Sequence, residues 1–448
     1  MTNTWADTWG AVDWENDSNY SLKYIISSFY KNGVDMNMQD CYGNTPLHYA
    51  AGHGRTDMVE LLIEKGAKLN IKNNKNWTPL MRAIENGYAD MVDVLIENGA
   101  DVNVRDENNE TALHLAAQKD NADITMQLLE AGANIDAQNN DGRTALIIAV
   151  GKETGRAYPI LLDYGADVNI QANNGLTALM SASSRGYEYT VMDLLDAGAD
   201  PNKQNNAGWT ALMQAVQEER EDVVGILADE EPTNLDIKNN NGWSALSIAI
   251  VKENTNMVRT LLHYGADANT RDGFNRPVLV LAANKNYMNA VELLINSYAD
   301  LDATDNNGVT ALMYAVENVN PDMIEMLINY GADVNKCNKA GWTALMKCAN
   351  KNYTDIAQSL IDAGANLDAQ NYNGWTAMMV AGYNMCLNMV NFLLDNGASP
   401  FLKNKANKGV LDLIKEGKTF RQNQQQNEPT KIACYQKGKK MNNDKQYE

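Results

Sequence analysis

Five of the eight tryptophans in this 448-residue chain stand at one recurring place in the sequence. Trp77, Trp209, Trp243, Trp342 and Trp375 each precede a threonine or serine that opens a short apolar run. The same place elsewhere holds Asn44, Glu110, Arg143, Leu176, Arg276 and Val309. An indole buries a large area at small entropic cost, so such a series has the chemistry of a binding surface. Groups suited to making bonds are sparse. The four histidines (His48, His53, His114, His263) are scattered, and the five cysteines (Cys41, Cys337, Cys348, Cys386, Cys434) are odd in number and unclustered. No phosphate-binding glycine loop, His-Glu-x-x-His or nucleophile elbow occurs. No enzymatic activity, metal or cofactor is expected. Asn239-Asn240-Asn241-Gly242 lacks the spacing of a calcium loop and reads as a turn.

The residues after these positions set a period. Thr45, Thr78, Thr111, Thr144, Thr177, Thr210, Ser244, Pro277, Thr310, Thr343 and Thr376 are 33 apart, save one gap of 34 before Ser244. So regular a repeat means a stacked array with one elongated core. Residues 40–72 show the logic of one unit. Tyr42-Gly43-Asn44 is a turn, Thr45 caps a helix, and Pro46 sits at its first position, where a missing N–H is no loss. Leu47, Ala50 and Ala51 make a short helix that neighbours can approach closely. A loop at His53-Gly54-Arg55 precedes a more apolar helix through Met58, Val59, Leu61, Leu62 and Ile63, closed by Gly66.

Two phrases recur in fixed phase: Thr45-Pro46-Leu47-His48, and Gly-Ala-Asp-Val-Asn at 99–103, 165–169 and 331–335. Together they resemble the ankyrin repeat, over roughly residues 20–417. The resemblance implies an all-α repeat solenoid of helix–loop–helix units with β-hairpin connections, and protein binding without catalysis. The expected organisation is an N-terminal cap at 1–39 and an array at 40–403. Its repeats are 40–72, 73–105, 106–138, 139–171, 172–204, 205–238, 239–271, 272–304, 305–337, 338–370 and 371–403. A C-terminal cap at 404–417 and a disordered basic Gln/Asn/Lys-rich tail at 418–448 follow. By resemblance, the tryptophan series lies near the hairpin base on the concave face. Trp77, Trp209, Trp243, Trp342, Trp375, Arg143 and Arg276 are the candidate partner-binding residues. Packed helices lie about 8–10 Å apart, so Trp209–Trp243 and Trp342–Trp375 are expected to form paired aromatic platforms.

Departures from the family pattern carry expectations too. Only His48 and His114 keep the family histidine; Met81, Met180, Met213, Met313, Met346 and Met379 replace it in six repeats, and Ile147, Ser247 and Val280 in three more. Methionine fills gaps but donates no hydrogen bond, so the array should rest on apolar packing more than on a polar staple. Pro159 should fall in the first turn of its helix. Pro277 and Tyr298 should alter the caps of the eighth repeat.

The net charge of −20 comes from 37 basic and 57 acidic side chains. It disfavours nucleic acid and anionic membranes and favours a basic protein or peptide partner. Glu218, Glu219, Glu221, Asp222, Asp229, Glu230 and Glu231 form a candidate acidic patch in the sixth repeat, which also holds the extra residue. No apolar run is long enough to span a bilayer, and residues 1–7 lack a secretory pattern. Few cysteines fit a reducing compartment, so a cytoplasmic monomer is expected. An exported effector addressed by the basic tail, or a structural spacer, are the alternatives.

Overall fold

The structure, a computed structural model, describes residues 9–152 and 155–427. Among these residues are twenty-four α-helices and one short 3-10 turn at Trp9–Ala11. One cap helix, Asn19–Lys31, precedes eleven helix pairs, and a final helix, Val410–Asn427, follows them. The repeat boundaries read from the sequence place one helix pair in each repeat.

The first repeat shows why the units form. Thr45 is extended (φ −93°, ψ 168°) and caps Pro46–Gly52, whose Leu47, Ala50 and Ala51 are fully buried. The second helix, Thr56–Glu64, buries Met58, Val59 and Leu62. Each large aliphatic buried this way contributes about 1.5–3 kcal/mol. Gly66 closes the helix at φ +87°; its N–H donates to the Ile63 carbonyl, and that of Ala67 to the Leu62 carbonyl. Helices of seven and nine residues are too short to persist alone, so each depends on its neighbours.

The chain divides into two units, residues 1–240 and 241–448. In the first, Pro46–Gly52 packs on Pro79–Glu85, and Ala178–Arg185 packs on Ala211–Gln217. The second repeats the scheme with Val278–Asn284 on Ala311–Glu317 and Ala344–Lys351 on Ala377–Tyr383. Trp9 and Trp14, which fit no repeat register, are the core of the N-terminal cap. Trp9 stacks on Trp14 (6.1 Å) and meets Phe29 edge-on (5.0 Å), while Trp14 stacks on Tyr49 of the first repeat (6.2 Å).

The connections differ from the expected β-hairpins. Among the described residues no strand forms, and only two isolated antiparallel bridges appear, Arg271 with Pro277 and Cys337 with Thr343. Side chains close these turns instead. In the tenth repeat Asn338 Oδ1 accepts from Ala340 and Trp342 N–H (both 2.9 Å), while Asn338 N–H donates to the Trp342 carbonyl (2.9 Å). Asn73, Asp106, Asn139, Asp272, Asp305 and Asn371 clasp the same turn in other repeats.

Beside the apolar core, these side chains supply a polar staple that the expectation of an array resting more on apolar packing left out. Within each unit, one ladder links successive repeats through an Asn or Asp at the end of the Gly-Ala-Asp-Val-Asn phrase. Asn103 Oδ1 accepts from Asn134 N–H (2.8 Å) as its Nδ2 donates to the Gly132 carbonyl (3.1 Å). Asn335 does the same with Asn366 (2.7 Å) and Gly364 (3.1 Å). A second ladder runs through glutamines: Gln171 Nε2 donates to the carbonyls of Gly175 (2.7 Å) and Gln204 (2.9 Å). The polar staple has moved from the histidine to the turns.

The irregular repeats behave as follows. Pro159 lies in the first turn of Ala157–Asp163, where Asp120 Oδ1 accepts the N–H groups of Arg156 and Ala157 (both 2.8 Å). The extra residue of the sixth repeat is absorbed without breaking the ladder. Asn202 Oδ1 still accepts from Asn234 N–H (2.7 Å), and its Nδ2 donates to the Pro232 carbonyl (2.8 Å). In the eighth, Pro277 offers no side-chain cap, and Tyr298 takes the left-handed conformation (φ +61°) at the site other repeats give to glycine.

The C-terminal end departs from expectation. The cap does not stop at residue 417, and the tail is not unstructured from 418: one 18-residue helix, Val410–Asn427, crosses that boundary. Gly417 lies against Ala377–Tyr383, so close that a Cβ there would come within 2.0 Å of the Tyr383 carbonyl oxygen. Lys408 pairs with Glu416 beside it. The Arg/Gln sequence that follows forms helix readily, and the helix runs on. The rest of the expected tail, 428–448, lies outside the described residues.

Candidate partner-binding site

The tryptophan position is fixed by its backbone. Its N–H donates to the clasping Asn or Asp, and its carbonyl accepts from the same residue's N–H. Where the family histidine survives, the carbonyl is held from the preceding repeat as well: His48 Nε2 donates to the Trp77 carbonyl (2.9 Å), and His114 Nε2 to that of Arg143 (3.1 Å). Nδ1 of each ring accepts the N–H of its capping threonine, Thr45 or Thr111. The neutral rings are thus fully used, and burial pushes His48 down to about 4 and His114 below its usual value. Methionine at the equivalent place leaves the threonine to cap alone, as Thr343 Oγ1 does for Met346 N–H (3.3 Å).

All five indoles are half-buried, but their edges are used differently. Trp77 is stapled: Nε1 donates to Asp106 Oδ2 (3.1 Å), and the Lys75 ammonium lies 5.9 Å from its ring. Trp243 meets Phe274 edge-on at 6.0 Å, and Trp375 meets Tyr383 at 5.4 Å. Trp209, Trp342 and Trp375 have no hydrogen-bond partner for Nε1 among the described residues. The Trp342–Trp375 platform does not form as expected. Trp342 and Trp375 make no ring contact with each other among the described residues, and Trp209 and Trp243 fall in different units.

The two arginines also part company. Arg276 is spent inside the fold, with Nε and Nη2 each 2.8 Å from Oδ2 of the buried Asp272 carboxylate and its guanidinium 5.2 Å from the Phe274 ring. The Arg143 side chain is exposed and without a partner among the described residues.

Three clefts recur at this register, each between a tryptophan-position residue and the end of a first helix. One of about 400 Å³ sets Trp342 with Val316, Glu317, Lys347, Lys351 and Tyr353. Another, of about 350 Å³, holds Trp77, Lys75, Arg82 and Glu85 with Asn44 and Asn73. The third, of about 330 Å³, lies around Arg143. Sequence reasoning missed the first-helix residues of these clefts. Their signal was a basic side chain four or eight residues after the threonine register: Arg82 and Lys347 at four, Lys152, Arg185 and Lys351 at eight.

The acidic patch splits in space. Glu218, Glu219, Glu221 and Asp222 sit at the start of Glu221–Asp229, and Asp229, Glu230 and Glu231 at its far end. The nine-residue helix between them spans about 13 Å. Glu221 and Asp222 lie in its first turn, where the helix dipole favours them. Burial pushes the Cys348 thiol up to about 12, leaving it unreactive. Tyr49 and Tyr314 are likewise pushed up to about 12, by burial and by donating to Asp40 and Asp305. Among the described residues no group of three or more His, Cys, Asp or Glu is placed to hold a metal ion. No described helix is long and apolar enough to cross a membrane.

Comparison with known proteins agrees with this architecture. A family profile described as "Ankyrin repeats (3 copies)" matches residues 11–106, 98–172, 179–272, 268–338 and 320–404. The chain is 41% identical over 44 residues to "Ankyrin repeat protein nuc-2" of Neurospora crassa, a stretch covering 10% of this chain and 4% of that protein. Among solved structures it resembles the ankyrin repeat domain of Bcl-3, described as "a unique member of the IkappaB protein family". That likeness has a TM-score of 0.45 and 29% identity, covering 49% of this chain and 98% of that one. With the family profile matching along most of its length, the chain belongs to the ankyrin-repeat family.

Proposed function

We propose that this protein is a binding scaffold that engages a protein or peptide along the face formed by its turns and first helices. Ankyrin repeats are in general protein–protein interaction modules. The observation that carries the reading to a face is the Trp342 cleft. A half-buried indole with an unspent N–H opens there into about 400 Å³, beside Lys347, Lys351 and Tyr353. An aromatic floor with polar groups at its rim is the composition of an interface anchor. Trp375 and Trp209 offer the same unspent donor, whereas Trp77 serves the scaffold.

The test is affinity capture from the native cell with the wild-type chain beside Trp342→Ala/Trp375→Ala. The double variant is expected to fold and to lose proteins that the wild type retains. Identical capture by both, with folding intact, removes this face from the proposal.

A further inference from the structure

The cleft around Arg143 gathers three basic side chains, where the Trp342 and Trp77 clefts have two each. Arg143, Lys152 and Arg185 line it, and none has a hydrogen-bond or ion-pair partner for its side chain among the described residues. On a chain with 57 acidic side chains against 37 basic ones, three adjacent cations without a partner among the described residues need a cause. Elsewhere on this face three lysines are paired: Lys119 with Glu85 (3.1 Å), Lys285 with Glu253 (2.8 Å) and Lys347 with Glu317.

One carboxylate that another repeat supplies is absent here, although Glu110 and Asp141 line the cleft. Glu85 stands seven residues after its threonine register and meets Lys119, eight after the next one. Two repeats on, those registers hold Gly151 and Arg185. A Cβ on Gly151 would lie 3.5 Å from Arg185 Nη2 and 3.2 Å from the Ile148 carbonyl oxygen, so the position that supplies the acid in one repeat has no side chain beside the cation in another. Glu110, at the cleft edge, is already engaged, accepting from Gln118 Nε2 (2.9 and 3.0 Å) and Asn139 Nδ2 (3.2 Å). Ile148 and Leu176 supply an apolar wall.

We infer that this cleft binds an acidic segment of a partner protein, with a carboxylate on Arg143, Lys152 and Arg185 and an adjoining aliphatic side chain against Ile148 and Leu176. The inference rests on the protein-binding reading and adds the chemistry of what is bound. It reverses the preference for a basic partner that net charge alone suggests. Glu110 and Asp141 at the same cleft, with a net charge of −20, disfavour a nucleic-acid backbone as occupant.

The test selects a displayed library of random dodecapeptides on the full-length protein and measures the winners as synthetic peptides. Winners are expected to pair Asp or Glu with Leu, Ile or Val. They should bind Arg143→Glu/Arg185→Glu about tenfold or more weakly, while binding Trp342→Ala/Trp375→Ala unchanged. Gly151→Glu, which keeps both arginines and restores the carboxylate, should lose the same peptides and guards against misfolding of the first variant. Circular dichroism checks that each variant folds. The inference is overturned by an empty selection, by neutral or basic winners, or by winners that bind the arginine and Gly151→Glu variants within twofold. A labelled duplex oligonucleotide that binds wild type more tightly than the peptides, and is lost in the arginine variant, also overturns it. Winners dependent on Trp342 and Trp375 alone would sink the acidic-segment site and leave the protein-binding reading standing.

Discussion

At the scale of single residues, the register positions carry separable costs. His48 is held neutral at about 4, against 6.5 when free. Its share of stability is therefore fully present above about pH 6.5 and is lost as pH falls toward 4, because the unfolded chain takes up the proton first. His48→Met, the residue most other repeats use, should remove that share. Urea midpoints of wild type and variant, compared between pH 7 and pH 4, should converge as pH falls; parallel curves would contradict this. Tyr298 is exposed and left-handed (φ +61°) where glycine is the unstrained choice. Tyr298→Gly should stabilise the eighth repeat by about 1 kcal/mol, read from a raised urea midpoint. Both positions were legible as breaks in a repeated phrase. The chemistry of the recurring asparagines was not, because turn propensity alone explains an asparagine and hides the hydrogen bonds it makes to the next repeat.

Elements owe their stability to what bridges them. Asn335 joins two repeats by accepting from Asn366 and donating to Gly364. Asn335→Ala should cost about 1 kcal/mol and raise hydrogen exchange at Asn366 more than at amides two repeats away. The final helix depends on Gly417, whose missing Cβ admits the Tyr383 carbonyl. Gly417→Ala should lift this helix from the last repeat at about 1–3 kcal/mol, seen as faster proteolysis after residue 410 with the earlier repeats still protected. Helix existence and phase were readable from the 33-residue period because threonine caps and glycine closures punctuate every unit. The run of the last helix past residue 417 was missed because the sequence there is polar and carries little apolar signal, and the contact that positions the helix is made by a residue with no side chain.

At the scale of the whole molecule, the regular scaffold leaves the position before each capping threonine or its equivalent free to vary. The tryptophan register marked that position in the sequence, but not which members are available. Trp77 and Arg276 are consumed by Asp106 and Asp272, and only the fold places those acids against them. The lysines and arginines of the clefts come from a different register, so they join the site only when repeats stack. The central claim is that the unspent indoles bind a partner, and one comparison of affinities tests it most directly. For a captured partner, Kd is measured for wild type, Trp77→Ala and Trp342→Ala/Trp375→Ala, each shown to be folded. The account expects the double variant to bind about thirtyfold or more weakly and Trp77→Ala to change stability rather than Kd. Binding by the double variant within twofold of wild type would contradict it.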